Sequence, residues 1–174
     1  IKEIVELGAG LGRDTVFFAE NKIKVEALDY SPAAIKIIEK KVKKKKFSKL
    51  VFTKYFDVRG KLPYKDNSIQ GIFSHMLYCM ALTNSDIKKL NNEILRVLKP
   101  GGINIYTVRH INDGDYMKGI HRGEDMYENE GFIINFFSEQ KVNSLLEGFK
   151  NLSTIKFEEG NFPRKLFLVQ NKKI

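Results

Sequence analysis

The chain has a single cysteine, Cys79, among its 174 residues. That scarcity excludes an intramolecular disulfide and any zinc site built on several thiolates, and it makes a reducing cytoplasm the expected compartment. No apolar run approaches the roughly 18 residues needed to cross a bilayer, and no signal-like segment is visible, so no membrane span is expected. Internal repeats and low-complexity linkers are missing too, apart from one run of lysines. With 43% hydrophobic and 29% charged residues the composition is that of an ordinary globular protein. The length suits one domain over residues 1–174 with a three-layer core. Ile1 already falls inside a predicted strand, so an amino-terminal segment is expected to be missing.

Acidic residues are outnumbered, 21 against 30 basic ones, which gives a formal charge of +9 and a pI near 9.5. Such a balance admits a nucleic-acid partner. Much of the excess is local, however, because six of the seven residues from Lys40 to Lys46 are lysine. They end a predicted helix, where cations complement the macrodipole. A solvated helix end is the plain reading of that run and a functional basic patch the alternative.

What the sequence does contain is a strong opening. Ile4-Val5-Glu6-Leu7 reads as a buried strand, Gly8-Ala9-Gly10-Leu11-Gly12 as a tight turn into a helix, and Val25-Glu26-Ala27-Leu28-Asp29 as a second strand ending in an acid. Glycines at alternate positions let the backbone approach a ligand with no Cβ in the way. The following helix offers its free N–H groups, and the acid is placed to bind ribose hydroxyls. These are the parts of a nucleoside site. A dinucleotide fingerprint wants its third glycine where this chain has Arg13, which disfavours a dehydrogenase or a plain nucleotide-binding module.

The remaining patterns alternate. Strands are expected at about 3–8, 24–28, 50–56, 69–76, 102–108, 152–159 and 164–171, and helices at 12–21, 31–46, 84–98 and 138–148. This order predicts an α/β fold with helices on both faces of a largely parallel sheet. The last two strands, joined by Glu159-Gly160-Asn161-Phe162-Pro163, should form an antiparallel hairpin. Ser31-Pro32 supplies an N-cap and a first-turn proline. Asn84 or Ser85 is the expected cap of the helix that Pro100-Gly101-Gly102 stops near Lys99. The stretch from Asp57 to Ile69 is too lean for a helix, and 109–131 reads as an irregular loop, the length of a lid.

The acid-x-Gly-x-Gly-x-Gly run from Glu6 to Gly12 resembles the first motif of the class I S-adenosylmethionine-dependent methyltransferases. Asp29-Tyr30-Ser31-Pro32 resembles their second motif, Asp57 their adenine-contacting acid, and Leu98 to Gly102 the turn before their fifth strand. Within that family the segment from Asp113 to Glu130, then Phe136-Phe137-Ser138 and Phe162 to Leu166, is similar to tellurite-resistance-type methyltransferases. The resemblance implies a three-layer αβα Rossmann-like fold, with a seven-stranded, mostly parallel sheet in the order 3-2-1-4-5-7-6. It implies S-adenosylmethionine as cofactor and S-adenosylhomocysteine as product. Gln70 departs from the family, whose members often carry an acid there, and the family's amino-terminal helix is not in the sequence.

On this reading the cofactor contacts are Glu6, Gly8, Ala9, Gly10, Gly12, Asp29, Tyr30, Ser31, Asp57, Val58 and Ser74. Glu6 either satisfies loop amides or touches the ligand, and Asp57 either accepts from the adenine amine or forms an Asx turn or an Arg59 pair. His75 is the candidate catalytic base, with His75, Tyr78, Arg109 and His121 as candidate substrate contacts. His110 and His121 have no spacing that matches a metal site, and none is expected. The expected acceptor is a small molecule. An RNA acceptor using the basic surface is the alternative, while the lack of an Asn/Asp-Pro-Pro-Tyr sequence after strand four argues against action on DNA bases.

Overall fold

Apolar strands alternate with one-sided helices through the first hundred residues, and in a computed structural model of the chain they stack into layers as expected. The structure describes residues 1–161 and 164–174, so the Phe162-Pro163 step of the expected hairpin turn lies outside it. In chain order the elements are β1 (Glu3–Leu7), α1 (Arg13–Glu20), β2 (Lys24–Asp29), α2 (Pro32–Lys45), β3 (Val51–Tyr55), β4 (Ile69–His75), a 3-10 turn (Leu77–Cys79), α3 (Asn84–Val97) and β5 (Leu98–Arg109). They continue with β6 (Ile120–His121), β7 (Met126–Asn129), β8 (Phe132–Asn135), α4 (Glu139–Asn143), β9 (Phe149–Glu159) and β10 (Arg164–Lys173). Seven of the strands form one sheet in the order β3-β2-β1-β4-β5-β10-β9. The first five run parallel and β10 lies antiparallel between β5 and β9. Counting the final hairpin as strands six and seven, this is the predicted 3-2-1-4-5-7-6 order.

Alternation along the strands divides the interior into two cores. Ile4, Val25, Ala27, Ile38, Val42 and Val51 pack beneath α1 and α2, where Phe18 meets Phe73 edge to face at 5.0 Å. Val5, Leu7, Leu28 and Ile72 point the other way, onto α3, whose stripe of Ile87, Leu90, Ile94 and Val97 is buried. Side chains of that kind contribute about 1.5–3 kcal/mol each on full burial.

Several boundaries differ from expectation, each for a visible reason. Neither Asn84 nor Ser85 caps α3. Thr83 does, accepting from Asp86 N at 3.1 Å while the Asp86 carboxylate accepts from Thr83 N at 3.0 Å. Of the three residues, Thr83 alone has an acid three positions later to close a capping box. The helix ends at Val97 rather than near Lys99, because Leu98 is already extended and pairs with Ile69. The expected 138–148 helix is only Glu139–Asn143; the Leu145 carbonyl accepts from Asn91 Nδ2 at 3.0 Å, and the chain leaves through i,i+3 bonds to a left-handed Gly148. The 109–131 segment is not irregular throughout. With the residues after it, it builds a second antiparallel sheet, β6-β7-β8.

The lean connection after β3 carries no helix, as expected, and side chains of α3 hold it. Arg96 donates to the carbonyls of Leu62 and Tyr64 and to Asp66, and Glu93 accepts from Leu62 N. The lysine run closes α2: Lys45 meets Glu20 at the end of α1, while Lys41 reaches the glycine turn and donates to the Leu11 carbonyl at 2.7 Å.

Candidate functional site

The glycine turn connects the end of β1 to α1, with Gly8, Gly10 and Gly12 all in the left-handed region (φ 68°, 54° and 75°). A Cβ on Gly8 would lie 2.9 Å from Leu77 Cδ1, and one on Gly12 would lie 2.8 Å from Ile38 Cγ1. Those two glycines are required by the protein's own packing. A Cβ on Gly10 would meet nothing within 4 Å, so that position opens onto free space. Gly12 is the N-cap of α1 and no side chain caps the helix, which leaves its first amides available above the turn.

Asp29 ends β2 beside this opening and is buried. One carboxylate oxygen accepts from Gly10 N and the other from Ser31 N, both at 2.8 Å. Ser31 in turn caps α2 through Ala34 N. Asp29 therefore ties the turn to the next strand while a lone pair on each oxygen remains unused. Tyr30, 67% exposed, stands next to it. Glu6 lies behind the turn, buried, and accepts from the Thr15 hydroxyl at 2.5 Å. Burial, aided by the charges of Asp14 and Asp29, pushes its carboxyl up to about 8 against the Thr15 bond and Arg13. No bond from Glu6 to a loop amide is found among the described residues, so the strand-end acid anchors α1 rather than the turn.

Asp57 sits past the end of β3 on the same edge of the sheet. It forms both the Asx turn and the Arg59 pair: its Oδ1 accepts from Arg59 N and Nε, and its Oδ2 from Nε and Nη2, at 2.5–3.1 Å. Val58, half-buried, packs against the larger core.

At the end of β4 the candidates separate. His75 lies on the α1 face, with Nδ1 3.0 Å from Thr107 Oγ1 and Nε2 3.3 Å from Glu159 Oε2. Arg13 closes the group by donating to Glu159 Oε1 at 2.8 Å. Burial holds the His75 imidazole below its usual value despite Glu159. Ser74 and Tyr78 are corrected by the structure. Both side chains are wholly buried on the α3 side; Ser74 Oγ has no hydrogen-bond partner among the described residues, and Tyr78 packs on Tyr106 at 4.9 Å. Period-two alternation places Ser74 opposite His75, so at most its backbone faces the site.

A cavity of about 380 Å³ opens beyond β4 and β5. Met76, Cys79 and Met80 form one wall; Phe132, Ile133 and Ile134 of β8 form another, with Asp115, Glu130 and Arg164 at polar positions. Arg109 also lines it but is not a free substrate contact. Its guanidinium is buried and donates to Asp113 and to Asp115 Oδ2. His121 is exposed on β6, bonded to the Glu124 carbonyl and stacked near Tyr127, away from the cavity wall. Burial pushes the Cys79 thiol up to about 12, so it stays protonated.

Sequence reasoning missed the apolar wall from β8 and the role of Glu159. The first had a signal: Glu130-Gly131, both at positive φ between paired Asn129 and Phe132, is a two-residue hairpin turn with flanking β patterns. Glu159 had none, since it meets Arg13 from 146 positions away. The described residues contain no helix long and apolar enough to cross a membrane and no cluster of metal-binding side chains.

A glycine-rich turn, an acid on the second strand and the 3-2-1-4-5-7-6 sheet define a nucleoside-cofactor-binding α/β domain. Residues 4–102 match the family model described as a methyltransferase domain, more than half of the chain. The chain belongs to that family, the class I S-adenosylmethionine-dependent methyltransferases. It is 35% identical over 101 residues to phosphoethanolamine N-methyltransferase 1 of Triticum aestivum and 31% identical over 101 residues to demethylmenaquinone methyltransferase of Tropheryma whipplei. Each match covers 58% of this chain but only 20% and 39% of those proteins, so the chain spans well under half of the curated relatives it matches. The fold is similar to that of an S-adenosylmethionine-dependent methyltransferase from Methanosarcina mazei, with a TM-score of 0.84 at 19% identity over 99% of this chain and 92% of that one.

Proposed function

We propose that the chain transfers a methyl group from S-adenosylmethionine to a small acceptor with an apolar body, bound in the cavity beyond β4. One observation carries this reading. Met76 lines the cavity while its neighbour Leu77 packs against Gly8, so the acceptor cavity and the glycine turn share one short wall.

The residues fit the cofactor. Open space above Gly10 admits its backbone-hugging end, Asp29 has lone pairs for the ribose hydroxyls, and Tyr30 offers an exposed ring beside the nucleoside. Asp57 and Val58 would meet the adenine, and the uncapped start of α1 would meet the carboxylate. When bound, the cofactor supplies an electrophilic methyl on a sulfonium, so the protein's task is alignment and exclusion of water. Asp29 places an acid beside a cationic ligand. Met76, Met80, Phe132, Ile133 and Ile134 shield the acceptor side. His75 Nδ1 is held by the Thr107 hydroxyl, while Nε2 lies 3.3 Å from Glu159 Oε2 in a buried position, so base catalysis there would require movement of Glu159; an acceptor that is already nucleophilic needs none.

Of the acceptors named for the two relatives, a ring system suits the apolar wall of Met76, Met80, Phe132, Ile133 and Ile134. The apolar wall of the cavity favours a small acceptor over RNA.

S-adenosylhomocysteine is expected to raise the melting temperature and NAD to leave it unchanged. Gly10→Ala, which meets no protein atom, should cost only about 1–2 kcal/mol of left-handed strain yet remove the S-adenosylhomocysteine shift. Stabilisation by NAD instead would sink the reading. Phe132, 74% exposed at the cavity rim, gives a second test by steady-state kinetics on an acceptor found by screening ring-bearing thiols, phenols and amines. Truncation to alanine should raise KM for that acceptor about five- to tenfold with little effect on KM for the cofactor. Equal kinetics would move the acceptor elsewhere.

A further inference from the structure

We infer that Arg59 is a built-in competitor for the cofactor: it occupies Asp57 until the adenine amine replaces it, and so sets cofactor affinity downward. The inference rests on the proposed reading in which Asp57 meets the adenine.

A carboxylate offers about four lone-pair sites. Arg59 brings three N–H donors to that of Asp57: backbone N at 3.0 Å on Oδ1, Nη2 at 2.5 Å on Oδ2, and the single Nε–H shared between the two oxygens at 3.0 and 3.1 Å. Asp29 differs, accepting one amide on each oxygen, whereas one guanidinium bridges both oxygens of Asp57. An adenine amine at Asp57 would therefore compete with the guanidinium for the same carboxylate.

The displacement is mechanically easy. Arg59 has 62% of its side chain exposed and, among the described residues, its guanidinium bonds only Asp57. The carboxylate of Asp86, in the first turn of α3, and the Tyr30 ring lie within electrostatic reach of the guanidinium, so a released Arg59 has an acid to turn toward. The backbone bond from Arg59 N would still hold Asp57 in its Asx turn after the side chain has gone.

An exposed pair of this kind exerts a modest pull, so the gain on removing it is modest in size but unusual in sign. By calorimetry, Arg59→Ala should bind S-adenosylhomocysteine about two- to fivefold more tightly than the unmodified chain. Asp57→Ala should bind it more weakly, and the double variant should match Asp57→Ala with no gain from losing Arg59. S-inosylhomocysteine, which lacks the amine, should not gain from Arg59→Ala. Unchanged or weaker binding by Arg59→Ala, or an equal gain for the inosine analogue, overturns the inference. If Asp57→Ala binds normally while Asp29 variants do not, the adenine assignment of Asp57 falls and the competition with it, while the cofactor reading stands.

Discussion

Asp29→Ala is expected to weaken S-adenosylhomocysteine binding by roughly a hundred- to a thousandfold. Hydrogen bonds to a charged group are worth about 1.5–3 kcal/mol each, and two ribose hydroxyls would meet this one carboxylate. The same oxygens hold Gly10 N and Ser31 N, so the variant also loosens the turn whose free space the ligand would fill. Asp29→Asn separates the effects: it keeps one oxygen as an acceptor but turns the other position into a donor facing an amide. It should lose affinity nearly as severely. Calorimetric titration reads both variants, and a loss smaller than threefold in each would remove Asp29 from the site.

Asp113→Ala should have the largest effect on stability, about 3–5 kcal/mol, because it strips a buried cation of its main partner. Arg109 is 5% exposed and Asp113 is 6% exposed. Asp113 takes two bonds from the guanidinium and also accepts from Asp115 N at 2.9 Å and Lys165 N at 2.7 Å. It thus joins β5, the start of the second sheet and β10. Asp115, whose side chain is 42% exposed, bonds the same arginine, yet its removal should cost under about 1 kcal/mol, as exposed pairs do. Burial opposes ionisation of Asp113, but its bonds to Arg109 and the two amides outweigh that and hold the carboxyl below its ordinary value. A depressed carboxyl contributes fully above its unfolded value and loses its contribution as pH falls through the folded one. The stability gap between the unmodified chain and Asp113→Ala should therefore narrow over that acid range. Urea midpoints with unchanged slopes measure the difference, and equal midpoints for the two variants would refute this account.

Glycine and proline positions, capping residues and strand periodicity are local properties, and they made much of the molecule legible. Ser31-Pro32 is a cap and a first-turn proline as read, and the lean stretch after Asp57 carries no helix. The glycine turn and Asp29 meet because one strand-turn-helix-strand unit contains both. Failures cluster where a long-range contact decides. Asn91, 54 positions away, holds the Leu145 carbonyl just past the end of α4, where the helix was expected to continue. Ser74 and His75 are adjacent in sequence, yet the pleat sends one into the core and the other to the site. Arg109 read as a free cation, and only the packed structure shows its acids already in place.

By itself the sequence determined the alternation of strands and helices and the position of the glycine turn beside Asp29, because backbone geometry and period-two burial are written into short segments; the sheet order and the family came through the resemblance of its motifs. Tertiary structure decided which polar side chains remain available. It locked Arg109, withdrew Ser74 and Tyr78, brought Glu159 to His75 and Arg13, and raised the β8 wall over Met76. Burial and pairing between distant residues set those outcomes, and spacing along a chain does not encode them.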